Sequence, residues 1–285
     1  MGAMTPLPEL LVVGHVTRDF IRGETRLGGA ASFSARVAAT LGIETALVTA
    51  APLDFSLMAP LKTLPRLSIH VLPSPEVTTF ELDYSGPRRR VILRSVARPI
   101  RAEDIPEAWR DIPVAYVAPV AGECDRALVE GLRSKQICAG LQGWLRRPGA
   151  DGTVEPTIAD EASQPPRGLG AAVFSEEDHP EAEFIAEQLT RQGLTLALTR
   201  GRRGSTVLQG SQRWEIPAAP ATEVDPTGAG DVFGIAFTLA LARGASAPEA
   251  ATAAAAIAAR VVEGPELGNL SAADTRHLPP PLKAR

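Results

Sequence analysis

At 285 residues, 45% of them hydrophobic, the chain is long enough to bury one large α/β core, and folds of this length often form a single unit. Its formal net charge of −4 gives no overall pull toward nucleic acid or an anionic membrane surface. Two cysteines, Cys124 and Cys138, are too few for a disulfide framework, and no apolar run reaches the roughly 20 residues needed to cross a bilayer; with no charged-then-apolar leader at its start, the chain is expected to be cytoplasmic.

Leu10-Leu11-Val12-Val13-Gly14 is a short apolar run ending in glycine, which predicts a buried parallel strand. His15 to Asp19 follow its carboxyl end, where ligands of open α/β sheets gather. Asp19 is therefore a candidate to accept hydrogen bonds from vicinal hydroxyls, against the ordinary alternative of a turn former. Gly28-Gly29 can turn sharply and offers bare amides, and Ala30 to Leu41 has the small-residue composition of a closely packed helix. Leu47 to Ala50 and Ser68 to Leu72 read as strands. Val77 to Tyr84 and Arg90 to Val96 are β-rich runs with Ser85-Gly86-Pro87 between them, a hairpin pattern whose Arg88-Arg89-Arg90 cluster reads as a solvated shoulder.

From Val114 strand and helix alternate: a strand at Val114 to Ala118, a helix near Asp125 to Ser134, strands near Gln136 to Ala139 and at Ala171 to Phe174, a helix from Pro180 to Arg191, and a strand from Leu194 to Thr199. Such alternation predicts a mostly parallel sheet wrapped by helices, here in one domain spanning 1–285. Phe174 to Asp178 reads as the acidic first turn of the helix from Pro180, or as a ligand site.

The stretch from Val224 to Gly244 carries the most chemistry. Asp225-Pro226-Thr227 reads as a turn, Gly228-Ala229-Gly230 as a tight backbone passage, and Asp231 opens a segment apolar on nearly every side, hence a buried helix. The unpaired N–H groups of its first turn and the positive end of its dipole suit an anion such as a phosphate. Asp231 at the rim can take a proton from an attacking hydroxyl, a role that typically contributes ~10² to 10⁴ in rate. The plainer alternative is a cap, with Thr227 or Asp231 accepting a backbone N–H. Ala247 to Val262 is expected to form a helix packed beside this one.

Asp225-Pro226-Thr227-Gly228-Ala229-Gly230-Asp231 resembles the C-terminal signature of the ribokinase-like (PfkB) carbohydrate kinases, Asp-Thr-x-Gly-Ala-Gly-Asp, with Pro226 at the commoner threonine. Gly28-Gly29-Ala30-Ala31-Ser32-Phe33 is similar to the family's N-terminal Gly-Gly-x-Ala-x-Asn, with Phe33 at the asparagine. Together with Val13-Gly14-His15 and Asp19-Phe20, it looks most like the myo-inositol kinase branch. The resemblance implies a three-layer ribokinase-like sandwich with a small β lid drawn from about 16–27 and 76–97. It implies Asp231 as catalytic base, with Gly228, Ala229 and Gly230 as the anion hole. Asp19, Gly28 and Gly29 would hold a small polyol or sugar, with Phe33, Gln142 and Arg146 also at that pocket. ATP would lie against Thr199, Gly201 and Gly204 and the amides of Thr227, Gly228 and Gly230, with Gly264 to Asn269 near the adenine. Ser175 and Asp178, in place of the family's Asn-x-x-Glu, would organise magnesium through water, and Asp225 would hold a monovalent cation such as potassium. Arg200, Arg202 or Arg203 would offset phosphate charge, unless they only decorate an exposed hairpin. Lid edges often pair in this family, which implies a homodimer.

Other readings fare worse. The three lysines, Lys62, Lys135 and Lys283, sit in no Gly-x-x-x-x-Gly-Lys-Ser/Thr loop, and neither the protein-kinase motif set nor His-Glu-x-x-His occurs. His15, His70, His179 and His277 form no metal pattern. Gly228-x-Gly230-x-x-x-Gly234 approaches a dinucleotide fingerprint, but it lies late in the chain and places Asp231 where a pyrophosphate would be repelled. A binding protein without turnover would suit the departures at Phe33, Leu53, Gly140 and Ser175. A base retained beside an anion hole argues for transfer instead.

Overall fold

The computed structural model describes residues 7–83, 90–265 and 267–281. In chain order the first half runs β1 (Leu10–Val13), β2 (Thr17–Ile21), β3 (Glu24–Gly28), α1 (Ala30–Thr40), β4 (Thr45–Ala51), the single turn α2 (Ala59–Lys62), β5 (Leu67–Pro73), β6 (Thr78–Asp83), β7 (Arg90–Ser95), β8 (Val114–Val117) and the short α3 (Arg126–Glu130). The second half runs β9 (Gln136–Gly140), β10 (Arg146–Pro148), β11 (Val154–Pro156), α4 (Asp160–Ser163), β12 (Leu169–Ser175), α5 (Ala182–Arg191), β13 (Thr195–Thr199), β14 (Ser205–Gln209), β15 (Gln212–Ile216), α6 (Ala229–Ala242) and α7 (Ala247–Val262).

Nine of these strands form one sheet in the order β15-β14-β13-β12-β9-β8-β1-β4-β5. From β5 to β13 every pairing is parallel, and β14 alone is reversed, pairing antiparallel with both β13 and β15. The strand period of two divides the core between two faces. Leu10, Val12 and Tyr116 join Val232, Phe237 and Ile257 of α6 and α7 on one side, while Leu11, Val13 and Val117 join Leu128, Ile185 and Leu189 of α3 and α5 on the other. The result is the expected three-layer sandwich, with a mostly parallel central sheet.

A separate sheet in the order β3-β2-β6-β7 forms the lid, β2 lying parallel to β6 between two antiparallel neighbours. Its strands lie at residues 17–28 and 78–95. Ser85-Gly86-Pro87, Arg88 and Arg89 lie outside the described residues, whereas Arg90 opens β7 and pairs with Asp151 at 3.7 Å. The small β10–β11 hairpin joins the lid's margin through the Ile92–Thr153 bridge.

Three expected boundaries shift. The helix near Asp125 shrinks to five residues, capped by the Asp125 carboxylate on the Leu128 amide. α5 starts at Ala182, because the His179 Nδ1 accepts the Glu181 amide and holds that stretch in a turn. α6 begins at Ala229, two residues before Asp231, after Gly228 turns through φ +78°. Both cysteines are buried and free, and among the described residues no helix is long and apolar enough to cross a membrane.

Candidate active site

α6 carries no charged residue beyond Asp231 along its length, and Val232 to Ala240 are all buried. Its first turn therefore projects the only carboxylate of the helix from an apolar rod toward the carboxyl edge of the sheet. Gly228 takes the left-handed conformation that favours glycine, and a Cβ there would also lie 2.6 Å from the Phe33 ring. Phe33 is thus the wall against which the Gly228 turn rests. The Ala229 amide donates to the Pro226 carbonyl at 3.1 Å, which engages one of the three amides expected in the anion hole. Gly230 is exposed, and a Cβ there would meet nothing within 4 Å.

Asp231 is half-buried, and its carboxyl is pushed up to about 7. Withdrawal from water is the largest cause, and the negative charge of Asp178 is next; Arg146 pulls the other way and Asp19 adds to the rise. Asp19, Asp178, Asp231 and Arg146 thus share one electrostatic neighbourhood. The structure brings together residues drawn from the lid, the β12 loop, α6 and the β10 hairpin.

On the lid side, Asp19 sits in β2 and its Oδ1 accepts the Thr17 hydroxyl at 2.6 Å. Burial raises its carboxyl, against the lowering effect of the Thr17 bond and the Arg146 charge. Gly28 ends β3 opposite Thr17, and any side chain there would put a Cβ 2.0 Å from the Asp19 Oδ2. Gly29 follows at φ +91° and caps α1. Arg146 opens β10; its Nε donates to the Val120 carbonyl at 2.8 Å and its guanidinium lies 4.7 Å from the centre of the Phe80 ring, on the lid strand β6. Burial lowers the Arg146 pKa, and the carboxylates of Asp178, Glu123, Asp231 and Asp19 hold it up, so it stays cationic.

On the opposite side, Asp178 belongs to the loop after β12. Its Oδ2 accepts the Ser175 amide at 2.7 Å, and its Oδ1 accepts the Gln142 side chain at 3.2 Å. The expected acidic first turn of a helix at Pro180 is not formed; Asp178 closes the end of β12 instead. Gln142, expected at the acceptor, donates that second bond. The Ser175 hydroxyl accepts the Glu177 amide at 3.2 Å. One carboxylate with a free lone pair on each oxygen, beside a serine, suits magnesium, which takes one or two carboxylates and fills the rest of its shell with water and phosphate oxygens.

Thr199 ends β13, its hydroxyl on the Phe174 carbonyl at 3.3 Å, and Gly201 and Gly204 follow with φ of +54° and +88°. Gly204 is fixed by contact as well, since a Cβ would fall 2.0 Å from the Ile216 carbonyl oxygen. The three arginines expected to offset phosphate charge are paired within the protein: Arg200 with Glu176 and Glu183, Arg203 with Glu176, and Arg202 with Glu223. Asp225 accepts the Thr227 amide at 2.9 Å; hydrogen bonding from the Thr227 side chain, then that amide and the Arg26 charge, keep its carboxyl below the usual range against the effect of burial.

Tyr116 was not singled out from the sequence. It is 2% exposed, and its hydroxyl reaches the floor of this same neighbourhood, where Asp231 and Asp178 help push its pKa well up after burial itself. The available signal was glycine at 140 and 234, one ending a buried strand and one inside a buried helix, both positions where glycine marks a close approach.

A parallel sheet with a four-stranded lid and a carboxylate at a glycine-led helix start define the ribokinase-like class of small-molecule kinases. Residues 168–274 match the pfkB family carbohydrate kinases. The cytidine kinase of Thermococcus kodakarensis is 29% identical over 254 residues, covering 83% of this chain and 89% of that protein. The inositol 3-kinase of Oryza sativa subsp. japonica is 28% identical over 275 residues, covering 88% and 68%. A pyrophosphate-dependent kinase in the ribokinase family, solved with a pyrophosphate analog and myo-inositol, superposes with a TM-score of 0.78 at 20% identity, over 94% of this chain and all of that one. Over residues 168–274 the chain matches the pfkB family, and the relatives that span most of its length are kinases.

Proposed function

We propose that this kinase moves the terminal phosphoryl group of ATP, with magnesium, to a hydroxyl of a small polyol, with myo-inositol the leading acceptor. The observation that carries this reading is Asp231, held in the first turn of α6 beside bare amides with its carboxyl pushed up to about 7. A base of that strength is half-deprotonated at neutral pH and basic enough to accept an alcohol proton as the alcohol attacks. The acceptor rests on Asp19 and the Gly28-Gly29 turn. As its oxygen bonds to the terminal phosphorus, the bond from that phosphorus to the bridging oxygen breaks, ADP leaves, and the proton passes to Asp231. The Gly228 and Gly230 amides and the α6 dipole stabilise charge on the phosphoryl oxygens, and Arg146 offsets the carboxylates around them. Magnesium at Asp178, with waters ordered by Ser175, would screen the repulsion between donor phosphates and the acidic site.

The inositol assignment is supported by the Oryza relative over most of the chain and by the myo-inositol bound to the superposable kinase. The Thermococcus relative favours a nucleoside as the second acceptor class. The test is phosphoryl transfer from ATP or pyrophosphate with magnesium to myo-inositol, its isomers, ribose, fructose and cytidine, run beside Asp231→Asn. The expected result is ATP-driven turnover on myo-inositol that falls by ~10² or more in the variant. Preference for cytidine, or for pyrophosphate as donor, would replace that part of the reading. Equal turnover by wild type and Asp231→Asn would remove the base.

A further inference from the structure

Gly140 and Gly234 are distant in sequence and face the same atom. A Cβ at Gly234 would lie 2.2 Å from the Tyr116 hydroxyl oxygen and one at Gly140 2.8 Å from it. The phenol cannot swing away, because its ring is enclosed in the core between the sheet and α6. β9 therefore ends, and α6 enters its second turn, without side chains, so that a ring from β8 can pass between them. Glycine inside a helix costs about 1 kcal/mol relative to alanine, so the slot is maintained at an expense.

The direction of the slot matters. Gly234 stands three residues after Asp231, on the same face of α6. Gly140 stands two residues before Gln142, which binds Asp178. The hydroxyl thus emerges between the α6 carboxylate and the β12 loop, with Asp231, Cys138 and Asp178 as the titratable groups that face it. Among the described residues it has no hydrogen-bond partner. The ring is buried, but the hydroxyl oxygen is not among the fully buried unpaired polar atoms, so its tip meets the open space of the site, where a water can reach it. A packing role alone accounts for the ring and leaves the hydroxyl unexplained.

We propose that Tyr116 is a positioning residue for the transfer step, its hydroxyl donating through one ordered water to the carboxylates of Asp231 and Asp178. The proposal rests on the kinase reading above. A neutral donor between two like charges keeps both carboxylates aimed at the reacting groups. Glycine at 140 is then the consequence of supplying the polar group from the neighbouring strand.

The geometry provides a rescue test. Tyr116→Phe keeps the ring, and kcat is expected to fall about 10-fold or more while KM for the acceptor moves less than about twofold. With the hydroxyl gone, the next atom facing a Cβ at 140 is the ring Cζ at 3.6 Å, an ordinary contact. Gly140→Ser in the Tyr116→Phe background is therefore expected to restore part of the lost kcat, about threefold or more, by placing a hydroxyl in the same space. Gly140→Ala in that background is not. A kcat for Tyr116→Phe within twofold of wild type, or equal kcat for the serine and alanine double variants, overturns the proposal. A second arm needs no turnover. The chain has two tyrosines, so Cζ-¹³C-labelled protein gives two phenol signals, and Tyr116→Phe identifies one. That signal is expected to shift in both Asp231→Asn and Asp178→Asn; no shift in either overturns the proposal. A shift in protein that phosphorylates no acceptor would retract the kinase reading and leave the contact standing.

Discussion

Asp231 is where activity and stability pull against each other. Its carboxyl is raised from 3.8 to about 7 in the folded protein. In the proposed role of base it works only when deprotonated, so kcat/KM is expected to climb with pH through about 7 and then level off, whereas Asp231→Asn should show no such limb. Folding has the opposite sign. The folded state holds this proton more tightly than the unfolded one, so the group's stabilising contribution is complete below 3.8 and is lost as pH rises through about 7. Asp231→Asn removes the buried charge and is expected to be roughly 2–4 kcal/mol more stable than wild type at pH 8, the gap closing toward pH 5. Denaturant melts at the two pH values read this directly, and a variant no more stable at pH 8 would count against burial as the cause. Gly28 gives a second residue-scale expectation. Gly28→Ala drives a Cβ to within 2.0 Å of the Asp19 Oδ2 and 2.7 Å of the Thr17 hydroxyl, which displaces Asp19 from its partner. KM for the acceptor should rise about 10-fold or more. Gly210→Ala, at positive φ but with nothing within 4 Å, should leave KM unchanged in the same steady-state assay.

The two central helices divide labour by how they begin. α7 starts with a capping box: the Glu249 Oε2 accepts the Ser246 amide at 2.9 Å and the Ser246 hydroxyl at 2.6 Å. α6 starts on a glycine with no side-chain cap, so its first-turn donors face outward. Ser246→Ala is expected to cost about 1 kcal/mol of stability with kcat unchanged, measurable as a small drop in Tm beside an unaltered rate. The same contrast shows what the sequence can disclose. Both helices were legible from apolar pattern and local punctuation, whereas Asp231, Asp19 and the glycine turns stood out through the resemblance of their short motifs to those of a kinase family. β10 was not, since Arg146-Arg147-Pro148 is too short to show a period, nor was β15. The glutamate partners of Arg200, Arg202 and Arg203, the Phe33–Gly228 contact and the Tyr116 slot join residues that only the folded chain makes neighbours. Local propensity carries no information about such pairs.

At the scale of the whole molecule, one side chain ties the lid to the sheet. Arg146 bonds the Val120 carbonyl beyond β8, lays its guanidinium on Phe80 of the lid, and supplies the positive charge among Asp19, Asp178, Glu123 and Asp231. Removing it has two separable consequences. The acidic groups lose their counter-charge, which weakens transition-state stabilisation, and the lid loses an anchor, which admits water to the donor phosphates. Arg146→Ala is therefore expected to lower kcat/KM for the acceptor by ~10² or more and also to raise donor hydrolysis relative to acceptor phosphorylation. Arg146→Lys restores a charge but not a plane to stack on Phe80, so it should recover transfer more than it suppresses hydrolysis. Phe80→Ala removes only the lid partner and should raise hydrolysis with a smaller loss of transfer. Measuring ADP and phosphorylated product in the same reaction separates the two quantities. If the three variants lose transfer with no change in the hydrolysis ratio, Arg146 acts through charge alone and the lid closes without it.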